Sequence, residues 1–174
     1  TNLLMGQLAG GTGMQPFKTV KDYDNWLKRV NDFMNWCETA IQNMRKGIKT
    51  GHVLPKVLIE KIIPQMEAFA KGPAEEHLYF KPILSMPADF TRGDSIRIAR
   101  SYKDLIEKRV IPGFRKLHEF FGSEYLKAGR ETSGFSSLPN GDKVYRFLIK
   151  YFTTTNLTAD EVYTLGEKEV ERIK

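Results

Sequence analysis

The chain predicts an all-α fold, a bundle of long helices kinked at prolines. Three observations carry this. Apolar residues recur at helical spacing through most of the chain. No stretch sustains the apolar–polar alternation of a half-buried strand. Capping signals precede the periodic stretches, and Gly or Pro follows most of them. No repeat period of about 20–50 residues is present.

Residues Gly6 to Pro16 read GQLAGGTGMQP and predict a flexible or tightly turning entry. The segment is not a phosphate loop, because it lacks GxxxxGK[ST] and follows no strand pattern. The first predicted helix starts after Thr19, where Thr19-Val20-Lys21-Asp22 approximates a capping box. Apolar residues follow at 23, 26, 27, 30, 33, 34, 37, 40, 41, 44 and 48. The stripe is core, with Lys28, Arg29, Asn35, Gln42 and Lys46 opposite, and Gly47 and Gly51 end the helix.

A second helix opens at Pro55 and buries Val57, Leu58, Ile62, Met66 and Phe69. Pro64 should kink it, and the short Gly51 link predicts an antiparallel pair with the first helix. Residues 72–93 hold Pro73, Pro82 and Pro87 among Tyr79, Phe80, Ile83, Leu84 and Phe90, which predicts a packed irregular crossover. The third and longest helix is capped by Asp94 or Ser95. Its face runs through Ile98, Ala99, Tyr102, Leu105, Ile106, Val110, Phe114, Leu117, Phe120 and Phe121. Pro112-Gly113 should bend it, Gly122 interrupts the pattern and Gly129 closes it.

A Gly/Ser/Pro-rich loop and a Leu138-Pro139-Asn140-Gly141 turn lead into a fourth helix carrying Val144, Tyr145, Phe147, Leu148, Tyr151 and Phe152. The β-branched run Thr153-Thr154-Thr155 weakens helix there. Thr158-Ala159-Asp160-Glu161 is a capping box for the last helix, whose inner face is Val162, Leu165, Val170 and Ile173.

The 174 residues suffice for one helical domain with a real core. There is no starting Met or signal-peptide layout, and Glu167 to Lys174 read as helix still running. Both ends therefore predict a piece of a longer chain. No window holds about 18 consecutive apolar residues, so no membrane span is expected. The net charge is +6, and Lys/Arg outnumber Asp/Glu between Thr91 and Arg130. Such an excess could attract nucleic acid or an acidic surface. The basic residues alternate with acidic ones, so a solvated helix face is the preferred reading.

Catalytic constellations are not found. Cys37 is the only cysteine, set among apolar neighbours, and reads as a small core residue. His52, His77 and His118 stand far apart, and Gly122 occupies the second His position of an HExxH helix beginning at His118. Gly134-Phe135-Ser136-Ser137-Leu138 is not GxSxG. The turn before the fourth helix remains: its free N–H groups could bind a carboxylate or phosphate, with Tyr145 adding a hydroxyl one turn on. The alternative is a structural turn with Tyr145 in the core.

At this turn the chain resembles a known family. The pattern is Gly134-x-x-x-Leu138-Pro139-Asn140-Gly141, then Tyr145, then Thr153-Thr154-Thr155-x-Leu157-Thr158-x-x-Glu161-Val162-x-x-Leu165-Gly166-x-x-Glu169-Val170-x-Arg172-Ile173. Phe17-x-Thr19-x-x-Asp22-Tyr23-x-x-Trp26-Leu27-x-Arg29, Asn43-Met44-Arg45-x-Gly47-Ile48-x-x-Gly51, Pro55 and Glu124-Tyr125-Leu126 fit as well. Together these closely resemble the bacterial domain-of-unknown-function family 885 (DUF 885).

The resemblance implies a longer all-helical protein, similar in fold to the M32 carboxypeptidases and metallopeptidase-like. Its zinc signature, commonly HExxPGHH, is expected well downstream and matches no position here. Zinc is thus implied for the parent protein, and this portion supplies no metal ligand and no catalytic residue. Asn140, Gly141 and Tyr145 are the candidate cleft-lining residues. The implied partners are the remainder of the parent chain and a peptide substrate, and the family's export or lipoprotein signals imply an exported location. The chain departs from the family at Val144, Phe152 and Tyr163, where Tyr, His and His are common. A helical peptide- or partner-binding module without catalysis is the alternative reading.

Overall fold

The structure is a computed structural model that describes residues 2–9 and 15–174. It is all-α, as the periodicity predicts, and no strand occurs among the described residues. The helices are α1 (Asn2–Ala9), α2 (Val20–Thr50), α3 (Lys56–Phe69), α4 (Arg92–Leu105), α5 (Ile111–Glu119), α6 (Leu126–Ala128), α7 (Gly141–Thr153) and α8 (Ala159–Ile173).

The glycine-rich entry is corrected in part. Gly6 lies inside helix α1, whose Met5, Leu8 and Ala9 join the core, and residues 10–14 lie outside the described residues. A high apolar content lets this short helix pack despite its glycine.

Helix α2 starts at the predicted capping box. The Asp22 N–H donates to Thr19 Oγ1 at 3.3 Å, and Asp22 Oδ2 accepts from the Thr19 N–H at 2.8 Å. The helix runs through Gly47 and stops at Gly51, which has φ 76°, a left-handed conformation that glycine adopts without strain. Tyr23, Trp26, Val30, Phe33, Met34, Cys37 and Ile41 are buried along it. Burial pushes the Cys37 thiol up to about 11, so it remains protonated.

Helix α3 is N-capped by Pro55 and runs through Pro64. Its expected pairing needs correction, as does its buried face at Val57 and Leu58, whereas Met66 is buried and Ile62 and Phe69 pack half-buried on the core. Its packing is chiefly on α5 rather than as an antiparallel pair with α2. Ile59 and Met66 are the buried residues, whereas Val57 and Leu58 are 51% and 45% exposed. Both follow from one cause: a parallel backbone bridge to Arg130 turns α3 toward the far end of the long third helix. The Lys56 N–H donates to the Arg130 carbonyl at 2.9 Å, and the Arg130 N–H to the Leu54 carbonyl at 3.1 Å.

The crossover contains two 3₁₀ segments, Ala74–Glu76 and Leu78–Ser85. Tyr79 and Phe80 are buried, as an irregular but packed segment requires. It is pinned by the Tyr23 hydroxyl, which donates to the Pro82 carbonyl at 3.1 Å. Trp26 stacks on Tyr79, which stacks on His77.

His77 is buried and neutral. Its Nδ1 accepts from the Tyr79 N–H at 3.2 Å, leaving Nε2 to donate to the Phe69 carbonyl at 3.3 Å. Burial holds its pKa below 6.5. The unfolded chain takes up a proton there as pH falls through 6.5, and the folded chain resists it. Stability present above that pH is therefore lost below it. The urea midpoint should fall between about pH 7.5 and about pH 5.5, and His77→Gln should shrink that fall.

Helices α4, α5 and α6 form one continuous rod from 92 to 128. Its cap is Thr91, not Asp94 or Ser95: the Asp94 N–H donates to Thr91 Oγ1 at 3.1 Å. Thr91 has the extended backbone a cap needs, while Asp94 and Ser95 are already helical. The rod meets Pro112 with a π turn over Ile106–Val110, where the Ile111 N–H reaches the Ile106 carbonyl. A wider turn makes room for a proline that cannot donate. Gly122 does not interrupt the rod; a second π turn, Phe120–Tyr125, carries it through to Gly129.

Candidate functional site

The candidate turn is held from both sides. The Gly141 N–H donates to the Leu138 carbonyl at 2.8 Å, with Pro139 and Asn140 between. Asn140 has φ 57° and ψ 19°, so the turn has the positive-φ third residue of a type II turn. Pro139 rests against the end of α2: a Cβ added to Gly51 would lie 3.2 Å from Pro139 Cγ. Gly141 is buried beneath the backbone of the preceding loop, where an added Cβ would stand 1.7 Å from the Phe135 carbonyl oxygen.

Arg130 builds the loop above the turn. Its guanidinium donates to the carbonyls of Val53 (3.1 Å), Thr132 (2.8 Å) and Gly134 (2.6 Å) and to Ser137 Oγ (2.7 Å). Read from sequence, Arg130 counted only as part of a basic face. Its signal was position: the arginine closing the long rod, followed by seven residues of loop carbonyls that a planar five-donor fork can collect.

Of the three cleft-lining candidates, Asn140 is exposed at the helix N-terminus and its side chain makes no capping bond. Tyr145 is 47% exposed and stacks on Phe135 with centroids 6.4 Å apart. Tyr145 itself lies outside the core, since only Ile149 of α7's apolar residues is buried, while the packed turn fits a structural role equally well. Gly141 contributes its backbone and no exposed surface.

The apolar faces of α7 and α8 are largely open. Phe147, Tyr151 and Phe152 are 64%, 66% and 77% exposed. The expected inner face of α8 is corrected likewise: Leu165, Val170 and Ile173 are exposed and Val162 only half-buried. The threonine run ends α7 with Thr154 at φ 55°, unusual for a β-branched residue. Thr154→Gly should relieve this and raise stability by about 1 kcal/mol, read from thermal unfolding.

The basic stretch is largely engaged internally. Arg97 forks onto Asp24, Lys103 meets Glu75 at 2.6 Å, Lys108 meets Asp104 at 2.8 Å and Lys116 meets Glu38 at 3.2 Å. Arg109 donates to Asn35 at 2.6 Å. That pattern favours the solvated-face reading over nucleic acid. Among the described residues, no three His, Cys, Asp or Glu side chains come together to hold a metal. No helix among them is long and apolar enough to cross a membrane.

The architecture defines a class: an all-helical protein with a π-broken central rod and two amphipathic helices open at its end. The chain belongs to the family described as "Bacterial protein of unknown function (DUF885)", whose model matches residues 2–174. Among solved structures it is similar to one described as "The crystal structure of the putative lipoprotein from Colwellia psychrerythraea", with TM-score 0.83 and 21% identity. That match covers 99% of this chain and 29% of the other, so this chain spans under a third of its relative's length. At that identity the likeness is one of fold. No curated protein matches the chain.

Proposed function

We propose that these residues are a non-catalytic helical portion of a longer, zinc-dependent, peptidase-like hydrolase, and that they form one wall of its cleft. The observation that carries this reading is the open apolar face of α7 and α8. Helices this amphipathic hold their shape by burying the apolar face, and the other described residues do not cover it. The greater length of the Colwellia psychrerythraea relative supports a parent protein able to do so.

In this reading the turn at Leu138–Gly141 and Tyr145 face the cleft, and the 1–174 unit is one helical domain of the whole. The rigid seating of the turn favours a positioning role, since loop residues bind well when a scaffold fixes them. Peptidase-like chemistry and M32-type kinship rest on the family resemblance. Among the described residues no group of three His, Cys, Asp or Glu could hold zinc, and no catalytic step is assigned to them. The lipoprotein description of the relative supports an exported location.

The test is elemental analysis of the full-length protein, with peptide hydrolysis measured before and after chelation. Stoichiometric zinc and chelator-sensitive cleavage are expected, with Tyr145→Phe lowering cleavage. Metal-free protein that binds peptides without cleaving them would favour the binding-module alternative.

A further inference from the structure

Helix α8 has a feature that nothing among the described residues explains. Its apolar stripe runs through Val162, Tyr163, Gly166, Val170 and Ile173 at helical spacing. Gly166 sits at the stripe's centre, and a Cβ added there would meet nothing within 4 Å. Only proline is a poorer helix former, and no left-handed φ calls for glycine at this position. Inside a helix, an unneeded glycine gains its use when another backbone comes close.

The surroundings specify what comes close. A shallow groove over Gly166 is lined by Val162, Tyr163, Glu167, Val170 and Glu171. Glu167 and Glu171 are one helical turn apart and give the groove an acidic edge. Glu171 has Lys174 at 3.2 Å in an open, exposed pair. In a symmetric antiparallel pairing with a second copy, the two acidic edges would face each other and repel. An anionic lipid surface meets the same repulsion.

We infer that α8 crosses a helix of the same longer protein at Gly166, and that this helix sets basic side chains against Glu167 and Glu171. The inference rests on the proposed reading of the chain as part of a larger helical protein. Within that reading it places the closest backbone approach at one residue and fixes the partner's charge.

Two measurements on the full-length protein and the 174-residue chain test it. The first is thiol labelling of Val170→Cys, against the background of Cys37, which is only 4% exposed. Labelling is expected to be at least about tenfold slower in the full-length protein, as burial of an open site requires. The second is the melting temperature of Gly166→Leu and Glu167→Lys. Gly166→Leu should raise it or leave it unchanged in the 174-residue chain, where leucine is the better helix former. In the full-length protein both variants should lower it by several degrees. Slow labelling with no loss from Gly166→Leu overturns the crossing while the larger reading stands. Equally fast labelling in both proteins overturns the larger reading and this inference with it. Slow labelling in the short chain, accompanied by dimerisation, overturns the inference in favour of a second copy.

Discussion

Gly141→Ala is expected to destabilise the chain by about 3 kcal/mol and to release the loop from the start of α7. The added methyl would stand 1.7 Å from the Phe135 oxygen, 2.7 Å from its carbonyl carbon and 3.2 Å from Ser136 Cα. These are backbone atoms, so no rotamer change can clear them. They also cannot retreat freely, because the Leu138 N–H donates to the same Phe135 carbonyl at 3.0 Å and Arg130 holds Gly134 and Ser137. Urea unfolding should report the loss. Asn140→Gly is the control: it keeps the turn, removes a side chain from a positive-φ position and should change stability by no more than about 1 kcal/mol. Equal stability of Gly141→Ala and the unsubstituted chain would show that the loop yields, and that the turn is not rigidly seated.

Arg130→Ala is expected to cost about 1.5–3 kcal/mol, the range for losing hydrogen bonds to a charged donor. Four acceptors lose one shared partner: the carbonyls of Val53, Thr132 and Gly134 and the Ser137 hydroxyl. The backbone bridge at Pro55 survives, so the rod and α3 should remain folded while residues 131–140 gain amide exchange. Arg130→Lys should recover little, because an ammonium cannot span acceptors arranged around a planar fork. Recovery by lysine would mean that charge alone orders the loop.

Much of the fold was legible because its signals are local. Thr19 with Asp22 and Thr158 with Glu161 form the two capping boxes read from their spacing. The stripe on α2 and the face of the long rod are buried nearly as their periodicity predicts. The failures are non-local. Periodicity marks which face of α8 is apolar, but burial of Val170 and Ile173 needs a partner that spacing does not reveal. Val57 and Leu58 depart from expectation for the same reason, since the bridge between Pro55 and Arg130 sets the rotation of α3. The π turns at Ile106–Val110 and Phe120–Tyr125 are accommodations within a helix and leave its apolar face almost intact. At the candidate site, the turn was readable from Pro139, Asn140 and Gly141. The clip by Arg130 was not, because its targets are main-chain carbonyls that have no sequence identity.

In the proposed function, α7 and α8 are completed by the rest of a longer protein. Amide hydrogen exchange across residues 141–173, measured in the full-length protein and in the 174-residue chain, tests it most directly. The account predicts protection in the full-length protein approaching that of α4 and α5, and exchange faster by about a hundredfold or more in the short chain. Equal exchange of α7 and α8 in both would contradict it, since their apolar faces would then be open in the complete molecule.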